Sequence, residues 1–70
     1  MSAAGLRVTP REREVLILAA QGYTAKEIGA SLRISPRTVE AHRRRIKDKL
    51  GLDNQSELVL YAVRNGILEA

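Results

Sequence analysis

Seven side chains between Arg33 and Lys49 are basic (Arg33, Arg37, Arg43, Arg44, Arg45, Lys47 and Lys49), and only Glu40 and Asp48 oppose them. That segment carries a net +5, while the rest of the chain, with five basic and six acidic residues, carries −1. The overall charge of +4 therefore comes from one stretch, as a surface for a polyanion would require. A guanidinium there has two uses: paired donors for the O6/N7 edge of guanine, or attraction to phosphate. Other chemistry is poorly supplied. The chain has one histidine and no cysteine, so no metal-ligand set can be assembled from imidazole and thiolate. No nucleophile–base pair accompanies His42, and no enzymatic role, metal or cofactor is expected.

The elements that position these charges must be small. Seventy residues lie near the lower limit for folding without a staple, and with 44% apolar but 3% aromatic residues the core must come from Leu, Ile, Val and Ala. The longest apolar run, Val15 to Ala20, is far short of the ~20 residues of a membrane span. The start MSAAG lacks the basic and apolar parts of a signal peptide, so a cytoplasmic protein without a membrane partner is expected.

Four segments open with helix-start signals. Thr9-Pro10-Arg11-Glu12 and Thr24-Ala25-Lys26-Glu27 are capping boxes, Ser35-Pro36 places a cap before a proline, and Asn54-Gln55-Ser56-Glu57 opens the last. Gly22, Gly51 and Asn65-Gly66 supply stops. No segment alternates with period two, so the expected class is all-α, four helices. Only Arg33-Ile34 separates Leu32 from the cap at Ser35. A connection this tight forces a sharp turn between the second and third helices, as in a helix-turn-helix.

Laid out at 100° per residue from Val39, the third helix puts Leu50, Ile46 and His42 on one stripe, at ~20°, ~340° and ~300°. That stripe faces the core, and His42 is expected to be hydrogen-bonded between helices. Arg44, Arg37, Asp48 and Ala41 fall opposite, at ~140° to ~200°, with Glu40 and Lys47 flanking and Arg43 nearer the core edge. A small alanine among arginines suits a helix lying in the major groove of duplex DNA.

The string TPREREVLILAAQGYTAKEIGASLRISPRTVEAHRRRIKDKLG, followed by SELVLYAVRNG, resembles the LuxR/GerE family of helix-turn-helix DNA-binding domains. These are the output domains of many NarL/FixJ-type response regulators and quorum-sensing regulators. The resemblance covers Leu6 to about Leu68 and rests on T-P-R-E-R-E-V-L, K-E-I, I-S-x-x-T-V-x-x-H and K-L-G in combination. It implies a four-helix domain over residues 6–70 with the motif at about 24–44, preceded by a flexible tail at 1–5. It also implies binding to promoter DNA and a dimerisation helix at about 54–65. Carried over by position, base contacts fall on Glu40, Ala41 and Arg44. Phosphate contacts fall on Thr24, Lys26, Arg37, Thr38, Arg43 and Lys47.

Two positions depart from the pattern. Glu40 stands where some members are basic; it can accept from a cytosine N4 amine or orient Arg44 as an i, i+4 partner, and the local role is favoured. Gly29 replaces a usual alanine at a helix-propensity cost of ~1 kcal/mol, which close packing of the motif helices would explain. Glu14 reads as structural, paired with a base of the third helix.

From Leu58 to Val63 every residue is apolar or tyrosine. Leu58, Tyr61 and Ala62 supply the core face, which leaves Val59, Leu60 and Val63 as a surface for a second copy, unless N-terminal residues cover them. So small a surface implies a monomer or weak homodimer that pairs on double-stranded DNA. RNA polymerase is a further candidate partner. Two alternatives stand beside this reading: the promoter-binding C-terminal region of a sigma factor, and a protein-interaction module that leaves the basic face idle. The opening MSAAGLRVTP leans towards an output domain excised from a longer regulator.

Overall fold

Helix starts in this chain are set by side chains that take over backbone donors. In the computed structural model, which describes residues 8–68, these are α1 (Pro10–Ala20), α2 (Ala25–Leu32), α3 (Pro36–Leu50) and α4 (Gln55–Arg64). The described residues contain no strand, and the expected tail at residues 1–5 lies outside them. Thr9 accepts from the Glu12 amide at 3.1 Å while the Glu12 carboxylate accepts from the Thr9 amide at 3.0 Å. Thr24 and Glu27 repeat the exchange at 3.1 and 2.9 Å. Ser35 and Asn54 cap α3 and α4 through the amides of Thr38 and Glu57. Each cap is worth ~1 kcal/mol, a large share for so small a domain.

α1 is the organiser. Val15, Leu16, Ala19 and Ala20 bury one side of it against Ile28 of α2, Val39 and Ile46 of α3, and Leu58 and Ala62 of α4. It touches all three other helices, and α4 packs chiefly on α1. The expected stripe on α3 holds: Val39 and Ile46 are buried and Leu50 is half-buried against the core. On α4, Leu58 and Ala62 are buried and Tyr61 is half-buried, matching the expected core face.

The turn of the motif has its own solution. Arg33 adopts the left-handed conformation (φ 60°, ψ 43°), the one non-glycine residue with positive φ among those described. Its amide and that of Ile34 both donate to the Gly29 carbonyl, which ends α2 in one residue. Holding an arginine there costs about 1 kcal/mol. Gly29 is buried beneath the same turn, and a Cβ built on it would stand 2.6 Å from the Ile34 carbonyl oxygen. Packing therefore explains the glycine, as expected, although its close neighbour is turn backbone rather than a helix.

The ion pair that crosses helices is not the expected one. Glu14 pairs with Arg11 within α1 at 3.3 Å. Glu12 instead reaches Lys49 near the end of α3, at 2.7 Å. The reason is angular: Glu12 continues the buried stripe of Val15, Leu16 and Ala19 back by one turn, whereas Glu14 lies ~200° round the helix from it. Only 3% of Glu12 is exposed. Burial pushes its carboxyl up, but the Lys49 ammonium and the Thr9 amide and hydroxyl outweigh this, holding it below the usual carboxylate range.

Candidate nucleic-acid interface

The side of α3 opposite Val39 and Ile46 is open. Arg37, Thr38, Glu40, Ala41 and Arg44 are exposed along it, and Lys47 is half-buried at its flank. Thr24 and Lys26 are exposed at the start of α2, where unshared amides and the helix dipole favour an anion. Among the described residues, Lys26, Arg37, Arg44 and Lys47 have no carboxylate within ion-pair distance. Their charge is therefore free for an external partner.

Hydroxyl groups at the helix start are partly committed. Ser35 and Thr38 share a hydrogen bond of 2.9 Å while Ser35 also accepts from the Thr38 amide at 3.1 Å. Thr24 accepts from Glu27, which leaves its own hydroxyl hydrogen available to donate.

Glu40 does not orient Arg44. Its carboxylate lies 3.7 Å from Arg43, its i+3 neighbour, with 64% of the Glu40 side chain and 21% of the Arg43 side chain exposed. Arg43 is drawn that way because its other terminal nitrogen donates to Gln55 at 3.2 Å. Gln55 in turn donates to the Ala19 carbonyl at 2.8 Å, closing the end of α1. Sequence reasoning missed both Gln55 and Glu12. Extending the apolar stripe of α1 would have found Glu12; nothing periodic points to Gln55.

An open groove of about 380 Å³ runs beside α3, lined by Glu40, Arg43, Arg44, Lys47, Asp48 and Asp53 with Leu52. Three carboxylates share it with three cations, so the face is not uniformly basic.

His42 is half-buried on the core side, with Nδ1 buried and without a hydrogen-bond partner among the described residues. The expected interhelical hydrogen bond is not formed at that nitrogen among the described residues. No group of three or more potential ligands able to hold a metal ion occurs among the described residues. On α4, Val59 and Val63 are half-buried and Leu60 is 46% exposed. None of the helices in the described residues is long and apolar enough to cross a membrane.

Comparison with known proteins agrees with this architecture. The family of bacterial regulatory proteins named for luxR matches residues 7–62. The oxygen regulatory protein NreC of Staphylococcus aureus strain JH9 is 48% identical over 62 residues, covering 89% of this chain and 29% of that protein. NreC of strain JH1 shows the same identity and coverage. The chain thus spans less than a third of the length of these curated relatives. With the match extending over most of its length and the tight turn between α2 and α3 in place, the chain belongs to the luxR family of bacterial regulatory proteins as a DNA-binding helix-turn-helix domain.

Proposed function

We propose that the open side of α3 enters the major groove of duplex DNA and reads an operator sequence, so that the chain acts in regulating bacterial transcription. The observation that carries this is the separation of faces on one helix: Val39 and Ile46 are sealed, while Arg37, Ala41 and Arg44 stand in solvent, with no carboxylate among the described residues holding either arginine. Arg44 is the donor for guanine O6/N7, Ala41 lets the backbone approach, and Glu40 accepts from a cytosine amine. Thr24, Lys26, Arg37, Thr38 and Lys47 surround them as phosphate contacts that fix the docking register, whereas Arg43, also expected among these contacts, is engaged by Gln55 and Glu40.

Two copies meet through Val59, Leu60 and Val63 of α4, placing their α3 helices on successive major grooves. This contact is small, and the pair forms on DNA. Sedimentation of the free chain as a monomer, with a two-to-one complex on operator duplex, is the expected behaviour; a tight dimer without DNA contradicts it. RNA polymerase is the partner that converts occupancy into regulation.

The direct test is fluorescence anisotropy with a selected duplex at several salt concentrations. Affinity should fall steeply with salt, in proportion to the phosphates neutralised, and the selected site should outcompete random duplex. Salt-independent or absent binding would leave α4 as the only interaction surface and favour a protein-interaction module instead.

A further inference from the structure

Gln55 lies at the first position of α4, on an element separate from α3, yet it holds an arginine of that helix. Its amide orientation is fixed by its partners: Nε2 donates to the Ala19 carbonyl at 2.8 Å and Oε1 accepts from Arg43 Nη2 at 3.2 Å. Flipping the amide would set oxygen against oxygen and donor against donor. The other terminal nitrogen of Arg43, Nη1, faces Glu40 at 3.7 Å. With 21% of its side chain exposed, Arg43 is mostly spent on these two partners, unlike Arg37 and Arg44.

We infer that Gln55 is a specificity-determining positioning residue: through Arg43 it fixes the Glu40 carboxylate over the groove and so sets the base preference at the pair Glu40 faces. Arg43 acts as the relay and not as a phosphate contact. The end of α1, the start of α4 and the reading face of α3 are thereby linked by one amide and one guanidinium. The inference rests on the DNA reading proposed above and adds a residue that need not touch DNA.

The test uses the 70-residue chain in a selection from randomised duplexes, with salt titrations and thermal melts. Gln55→Ala removes both bonds. Gln55→Glu loses the donor to Ala19 and turns a carboxylate oxygen towards that carbonyl, but keeps an acceptor for Arg43, so it carries at least the structural loss of Gln55→Ala and differs from it in keeping the relay. Gln55→Ala should reduce discrimination at one base pair of each half-site by about threefold, the scale of a partly exposed polar contact, while Gln55→Glu retains it. Arg43→Met leaves the Ala19 bond intact and should reproduce the loss at the same base pair with the salt slope unchanged. It carries the test if Gln55→Ala fails to fold.

An unchanged preference profile in Gln55→Ala overturns the relay, as does an equal loss in Gln55→Glu. A salt slope reduced by ~1 in Arg43→Met makes Arg43 a phosphate contact and also overturns it. A parent chain that binds no duplex at all defeats the DNA reading first, and the relay with it.

Discussion

Lys49 and Arg44 sit on the same helix, five residues apart, and carry the same charge. Lys49 is tied to the buried Glu12 of α1 at 2.7 Å; Arg44 stands exposed without a carboxylate partner among the described residues. The end of α3 is anchored by its cation, and its middle is left free to engage something else. Basic residues in a run thus divide into those that hold the helix and those that use it. The division follows from angle: ~140° from Val39 points Arg44 outward, while Lys49, at ~280°, returns to the edge that α1 covers.

Lys49→Ala should break the anchored side most heavily. It strips the ammonium from a carboxylate with 3% exposure and leaves it only Thr9 as a partner, and a stability loss of ~2–3 kcal/mol is expected in denaturant titration. pH sharpens the point. The parent holds Glu12 below the ordinary value of 4.5, so this contribution is complete above that value and is lost as pH falls through the lower folded value. In the variant only the Thr9 amide and hydroxyl still oppose burial, so the carboxyl rises relative to the parent and the stability gap between the two proteins should narrow in acid.

Arg44→Ala probes the free side. Stability should change by less than ~0.5 kcal/mol, while operator binding weakens by ~1–3 kcal/mol with relaxed preference at the base pair it reads. A variant that loses stability and keeps its selectivity would put Arg44 in the same class as Lys49.

Gly29→Ala tests the turn that sets α3 against α2. Helix propensity favours alanine by ~1 kcal/mol, but a Cβ at 2.6 Å from the Ile34 carbonyl oxygen must displace the turn backbone. A net destabilisation of about 1 kcal/mol is expected, read from the midpoint of thermal unfolding. An alanine variant more stable than the parent would show that the turn yields easily. The smallest effect belongs to Lys26→Ala: affinity should drop by a similar factor for every duplex sequence, with the salt slope reduced by ~1.

Much of this division was legible in the sequence. Thr9, Thr24, Ser35 and Asn54 announce the four helices because a cap is a local bond, written within four residues. The outward set on α3 follows from periodicity, because burial of Val39 and Ile46 dictates what remains outside. What was not legible is tertiary or doubly employed. Glu12 reads as a capping residue, which it is, and that local role conceals its second bond to Lys49. Arg33 gives no sign of a left-handed turn, since a glycine would be the usual marker; the constraint comes from Gly29 and the shortness of the connection. Gln55 meets Arg43 only after α4 has docked on α1, and no spacing rule encodes that meeting. The i, i+4 rule pairs Glu40 with Arg44, whereas Glu40 lies nearest Arg43, which Gln55 of another helix holds.

Backbone amide shifts of the isotopically labelled chain, followed by NMR as a selected duplex is added, test the central claim most directly. Perturbations should concentrate at Thr24 to Lys26 and along Arg37 to Lys47, with a second, smaller set on α4 as copies pair. Perturbations confined to α4, with the amides of α3 unmoved, would contradict it.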